Sequence, residues 1–143
     1  LTRAALPRMI ERKSGTIINV SSVASFIYSA GNVNYCATKA YLRVFTEGLA
    51  TELTGTGVKV QALCPGFTRT EFHERATIDM QSTPAFLWLA ATRVVDESLA
   101  QVALGGPTVC IPSARYKLIV LLIRYLPQWV ERAIRTPLMK SRV

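Results

Sequence analysis

TIINVSSVASFIYSAGNVNYCATKAYLRVFTEGLATELTGTGVKVQALC, residues 16–64, reads as strand, helix, strand. Residues 16–20 (TIINV) are β-branched and nearly uninterrupted in apolar character, the pattern of a parallel strand covered on both faces. A loop of small residues, Ser21 to Asn32, follows. From about Val33 to Thr54 the residues Tyr41, Val44, Phe45, Gly48, Leu49 and Leu53 recur at spacings of three and four, which predicts a long helix with one buried stripe. Gly55 and Gly57 stop that helix, and Val58 to Cys64 (VKVQALC) forms the next strand. Strand, helix and strand joined by short links make a βαβ unit, so the fold class is α/β with a parallel sheet.

Working outward, Leu1 to Lys13 reads as the exit of a helix that Pro7 bends, with Gly15 placed for a left-handed C-terminal cap. Pro65 to Arg75 is a loop at the C-terminal end of the second strand, the edge where open α/β sheets place their ligands. Thr92 to Leu104 reads as a helix, Gly105-Gly106-Pro107 as a turn and Thr108 to Ile111 as a last short strand. Tyr116 to Met139 reads as two helical pieces broken near Pro127. The expected organisation is an α/β catalytic segment over residues 1–112 and a helical extension over 113–143.

The net charge of +8 is concentrated at one end. From Arg115 onward there are seven cations against Glu131 alone, and the body is nearly balanced. No basic stripe with interleaved aromatics accompanies a nucleic-acid motif, so a solvated tail, a cofactor phosphate or a membrane surface is favoured over nucleic acid as the reason for this charge. Cys36, Cys64 and Cys110 are widely spaced and His73 is the single histidine, so neither a disulfide framework nor a metal site is indicated. A reducing, cytoplasmic setting is expected. Leu118 to Ile123, the most apolar run, is too short to span a bilayer. YKLIVLLIRYL (116–126) is read as a core or subunit-contact helix in preference to a peripheral membrane contact.

Three features fall in order at the C-terminal edge of the inferred sheet: Ser22 after the first strand, Tyr35 with Lys39 on the helix, and Pro65-Gly66 after the second strand. Tyr35 and Lys39 are four apart, so a helix stacks them on one face. A free tyrosine titrates near ~10, and an adjacent ammonium favours its phenolate. Lys39 would thus activate Tyr35 for proton exchange with a carbonyl or alcohol.

With NVSS (19–22), Tyr35 thirteen residues after Ser22, YCATK (35–39) and CPG (64–66), the chain resembles the short-chain dehydrogenases/reductases. The resemblance implies a Rossmann-type three-layer sandwich and NAD(P)-dependent interconversion of a carbonyl and an alcohol. It implies Tyr35 as general acid or base and Ser22 as the group that polarises the substrate oxygen. It further implies that Lys39 holds the nicotinamide ribose, that Pro65 and Gly66 border the nicotinamide, and that Thr70 meets its carboxamide. It places Thr68 among the cofactor-binding positions too, where the family commonly has Val or Ile. The family's Thr-Gly-x-x-x-Gly-x-Gly phosphate loop is not in the sequence, so the chain is expected to be the C-terminal half of a longer enzyme that uses NAD or NADP.

That longer form is expected to be a homo-oligomer acting on a small-molecule substrate. PAFLWL (84–89) suits an apolar one, such as a ketoacyl chain or sterol. The alternative from another class is a non-catalytic remnant or partner-binding module.

Overall fold

The computed structural model describes residues 1–28, 31–70 and 83–125. Its elements are β1 (Gly15–Val20), β2 (Val58–Leu63), β3 (Thr68–Arg69), β4 (Leu89–Ala90) and β5 (Val109–Cys110), with helices α1 (Thr2–Glu11), α2 (Val33–Glu52), α3 (Ala91–Ala103) and α4 (Ala114–Tyr125). β1, β2 and β5 form a parallel sheet in the order β1-β2-β5. Gly15 lies opposite Val58 and the register runs unbroken to Val20 opposite Leu63. A two-residue parallel pair, β3 with β4, lies beyond the end of β2.

Alternation along β2 sorts the core into two faces. Val58 and Val60 join Leu49 and Leu53 of α2, with Leu6 and Met9 of α1 packed alongside. On the other face Leu63 joins Leu89, Val94 of α3, Cys110 and Tyr116 of α4. Helix, sheet and helix layers result, the α/β sandwich read from the sequence. Gln61, also buried, is satisfied across the second face: its amide donates to the Ser98 carbonyl at 3.2 Å. The Ser98 hydroxyl donates back to the Gln61 side-chain oxygen.

Three sequence expectations are corrected. β1 was expected to be covered on both faces, yet its residues are half-buried or exposed, because among the described residues it pairs with β2 alone while β2 has a neighbour on each side. Gly15 does not cap α1. The left-handed position is Lys13 (φ 52°), and Gly15 opens β1 with the Met9 side chain packed where a Cβ would stand.

The third correction concerns the buried stripe of α2. Leu49 and Leu53 are buried, but Tyr41, Val44 and Phe45 face outward. The inner face runs instead through Cys36 and Thr46. Thr46 is tolerated there because it accepts a bond from Asn19 Nδ2 at 2.9 Å and donates to the Leu42 carbonyl at 2.7 Å. A buried hydroxyl whose bonds are made costs little, so a polar residue could take a core position that periodicity assigned to apolar ones.

Tyr116 ties α4 to the loop after β2. Its phenol donates to the Leu87 carbonyl at 2.7 Å and accepts from the Phe67 amide at 3.0 Å, and its ring occupies the space where a Cβ on Gly66 would stand. Tyr116→Phe leaves the Phe67 amide and the Leu87 carbonyl without this partner. It should destabilise the chain by about 1–3 kcal/mol in urea unfolding; an unchanged midpoint would refute the bridge.

Gly55 (φ 81°) and Gly57 (φ 79°) turn the chain from α2 into β2. A Cβ on Gly55 meets open space, whereas one on Gly57 runs into the Lys13 carbonyl. Gly55→Ala should therefore cost about 1 kcal/mol and Gly57→Ala about 2–3 kcal/mol. Equal costs in the same unfolding assay would contradict the close approach of the Lys13 and Gly57 backbones.

Candidate active site

The parallel pairing of β1 with β2 continues past the strand ends. The Ser21 amide donates to the Leu63 carbonyl at 2.7 Å and the Val23 amide to the Pro65 carbonyl at 3.0 Å, so the two loops leave the sheet side by side. Ser22 is buried and caps a 3-10 turn over Val23–Phe26, its Oγ accepting from the Ala24 amide at 3.1 Å. The Ser22 hydroxyl donates to the Pro65 carbonyl at 3.5 Å, the outer limit of a hydrogen bond, so its proton is weakly held.

The small-residue loop leads into α2, which starts two residues before Tyr35. Tyr35 is half exposed, and Lys39 Nζ lies 5.7 Å from its ring centroid. Lys39 is anchored at both ends. Its Nζ donates to the Val20 carbonyl, the last of β1, at 3.0 Å, and its own carbonyl accepts from the Ser21 hydroxyl at 2.7 Å. The helix thus carries an ammonium to the end of the strand that precedes Ser22.

One turn further along α2 stands Arg43, which the sequence reading did not single out. Its guanidinium lies 4.6 Å from the Phe26 ring centroid and pairs with Glu47 at 2.7 Å. Its Nε is buried with no hydrogen-bond partner. The four-residue spacing of Arg43 and Glu47 was a legible signal for the ion pair. Nothing local indicated the stacking on Phe26.

Pro65 and Gly66 are half-buried at the end of β2. The Thr68 hydroxyl donates back to the Gly66 carbonyl at 3.0 Å, while Thr70 lies exposed just beyond β3. His73 and the rest of the loop to Arg75 lie outside the described residues. Of the PAFLWL stretch, Leu87 and Leu89 pack into the core. Phe86 remains exposed, and Trp88 meets Phe67 at 5.5 Å between ring centroids.

Burial pushes the Cys110 thiol up to about 11 and raises the Cys64 thiol as well, against a weaker opposing hydrogen bond from Ser25. Both stay protonated at neutral pH and are poor nucleophiles. Burial likewise raises the Tyr116 phenol, with the Phe67 amide pulling the other way. The phenol remains a neutral donor to Leu87 at neutral pH. Among the described residues no cluster of His, Cys, Asp or Glu has the makings of a metal site.

Ser22 and Pro65 therefore meet directly, as do Tyr35 and Lys39. Lys39 joins the two groups through Val20 and Ser21. Thr68 turns to its own loop.

The short chain dehydrogenase family profile matches residues 1–81. Dehydrogenase/reductase SDR family member 7 of Homo sapiens is 34% identical over 137 residues, which cover 90% of this chain and 40% of the human protein. A short-chain dehydrogenase from Sphingobium yanoikuyae, solved with NADPH, superposes with a TM-score of 0.73 at 30% identity, covering 99% of this chain and 52% of that one. A 7β-hydroxysteroid dehydrogenase superposes with a TM-score of 0.74 at 28% identity, covering 87% and 48% respectively. The chain spans about half the length of these proteins, or less. By its profile, its relatives and its parallel sandwich, the chain belongs to the short-chain dehydrogenase family, whose members are oxidoreductases that use NAD or NADP.

Proposed function

We propose that the protein carrying this chain interconverts a carbonyl and an alcohol, with Tyr35 exchanging the proton, Lys39 serving Tyr35 and the cofactor ribose, and Ser22 donating to the substrate oxygen. The observation that carries the reading is Lys39. It lies one helical turn from Tyr35 and is held on the Val20 carbonyl, two residues before Ser22.

In the reductive direction the Tyr35 hydroxyl gives its proton to the substrate oxygen as the C–O bond gains electron density. Ser22, whose present bond to Pro65 is long, turns its proton to the same oxygen and lowers the cost of the developing charge. Lys39 stays one helical turn from Tyr35, its Nζ held on the Val20 carbonyl. In the oxidative direction each transfer reverses.

The donor set fits one end of a nicotinamide cofactor. An ammonium and a half-exposed phenol stand at the strand ends, suited to ribose hydroxyls. Pro65 and Thr70 lie on the loop that borders the same edge. Gly66 fits less well, since the space a side chain would fill there is taken by Tyr116. The bound nicotinamide would supply or accept the hydride. The pyrophosphate has no glycine-rich loop in this sequence, so the residues present hold only the nicotinamide end.

An apolar substrate, a ketoacyl chain or sterol, is the favoured class. Phe67 and Phe86 are exposed beside the loop that follows Gly66, and a hydroxysteroid dehydrogenase is among the similar structures. The three cysteines are free and buried, which fits a reducing compartment such as the cytoplasm.

The outward face of α2 is proposed to pair with a second subunit. Tyr41 and Phe45 stack there at 6.0 Å with Val44 exposed beside them, and Gly48 opens space for a neighbouring helix. Full-length protein should elute as a dimer or tetramer in size exclusion, and Val44→Glu should shift it toward the monomer. A monomeric parent would end that reading.

Tyr35→Phe in the full-length enzyme removes only the phenolic oxygen. Turnover of a secondary alcohol, followed by NAD(P)H absorbance, should fall roughly 10²–10⁴-fold while cofactor affinity changes little. Parental turnover in the mutant would remove Tyr35 from the chemistry.

A further inference from the structure

α4 was read from the sequence as a helix buried against protein, and one face of it is: Tyr116 and Val120 are buried, and Ile119 packs against the same core. The opposite face is bare. Leu118, Leu121, Leu122 and Tyr125 are 56%, 51%, 55% and 80% exposed. At ~100° per residue these four centre about 160° from the mean direction of Tyr116, Ile119, Val120 and Ile123, so the helix carries two apolar stripes back to back. The first is consumed by the core; the second has no partner among the described residues.

Charge indicates what fits the second stripe. Arg115 flanks it on one side, and Lys117 with Arg124 on the other, in the same angular projection. None of the helix's twelve residues is acidic. The carboxylates nearby on other elements stand on one flank: Glu97 of α3, which against the opposing effect of burial is held down by the Ser113 amide and Arg93 and least by Lys117, and Glu47 of α2, which lines an open cleft with Arg124. Beyond the helix the sequence adds Arg132, Arg135, Lys140 and Arg142 against Glu131. A band of leucines between cations, ending in a tyrosine, complements a surface that is apolar within and anionic at its rim.

We infer that α4 docks flat on an anionic phospholipid bilayer, with Leu118, Leu121 and Leu122 entering the acyl boundary and Arg115 and Arg124 meeting the headgroups. Tyr125 takes the interfacial depth that suits an aromatic ring with a polar tip. The geometry is that of a helix lying in the membrane plane, since no described helix is long and apolar enough to cross.

The test is co-sedimentation of the full chain with vesicles of phosphatidylcholine and phosphatidylserine in roughly a two-to-one ratio. The parent chain should pellet with them. Leu118→Gln/Leu121→Gln/Leu122→Gln should weaken partitioning roughly a thousandfold, at about tenfold per leucine. These side chains leave no core contact behind, so the thermal melt should barely move. Arg115→Gln/Arg124→Gln provides a second route that spares the apolar stripe: it should lower binding to the mixed vesicles roughly tenfold and leave the weaker binding to pure phosphatidylcholine unchanged. A parent chain that stays in the supernatant at every lipid concentration overturns the inference. So does a leucine variant that pellets like the parent. A leucine variant that changes the oligomeric mass, while the parent ignores lipid, assigns the stripe to a second protein surface instead.

Discussion

The parallel register of β1 on β2 is the constraint on which the site depends. Six consecutive pairs, from Gly15–Val58 to Val20–Leu63, bring both strands to an end at the same level. The pairing then extends into the loops through Ser21 to Leu63 and Val23 to Pro65. A slip of one residue would turn Ile17 away from Leu49 and Leu53, and Ile18 away from Leu63 and Tyr116. The same slip would move Ser22 off Pro65. Burial of the two faces thus fixes, as a by-product, the position of a hydroxyl at the sheet edge.

α2 is held to that edge by polar contacts as much as by apolar ones. Thr46 takes the Asn19 amide, the Lys39 carbonyl takes the Ser21 hydroxyl, and the Lys39 ammonium takes the Val20 carbonyl. Each bond joins the helix to one of three consecutive residues, 19 to 21 with their neighbour 20 between, so the helix cannot slide along β1 without breaking all of them. Arg43 adds a fourth tie by covering Phe26 in the turn that Ser22 caps. The side chains proposed to act together are therefore positioned by a short segment of strand and its extension.

What could be read from the sequence was what depends on near neighbours. Tyr35 and Lys39 are four apart on a helix, and Ser22 follows a strand of obvious character, so their order along the edge needed no knowledge of the rest. The limits of the elements read from the sequence came within a residue or two for the same reason, whereas the short pair β3 and β4 was not read, and β3 falls in the loop expected from Pro65 to Arg75. Two features stayed hidden because they depend on distant partners. Thr46 reads as a surface residue until Asn19 is placed against it, and this is why periodicity gives Tyr41, Val44 and Phe45 the inner face alongside Leu49 and Leu53. Tyr116 reads as the start of an apolar run, and nothing near it announces that its hydroxyl will meet the backbone of Phe67 and Leu87, 49 and 29 residues away. Nor does anything near Gly66 announce that its missing side chain is what admits the Tyr116 ring.

Tyr116 also has a mechanical meaning. It sits on the inward side of α4, two residues before Leu118 on the outward side, and a helix transmits tilt and translation along its length with little loss. The Tyr116 phenol ties the inward side of α4 to the loop that begins at Pro65 through the Phe67 amide, and α4 also packs directly against the turn that Ser22 caps. The outer helix and the edge where Ser22 stands thus share one packed cluster around Cys110, so a change that loosens that cluster reaches both.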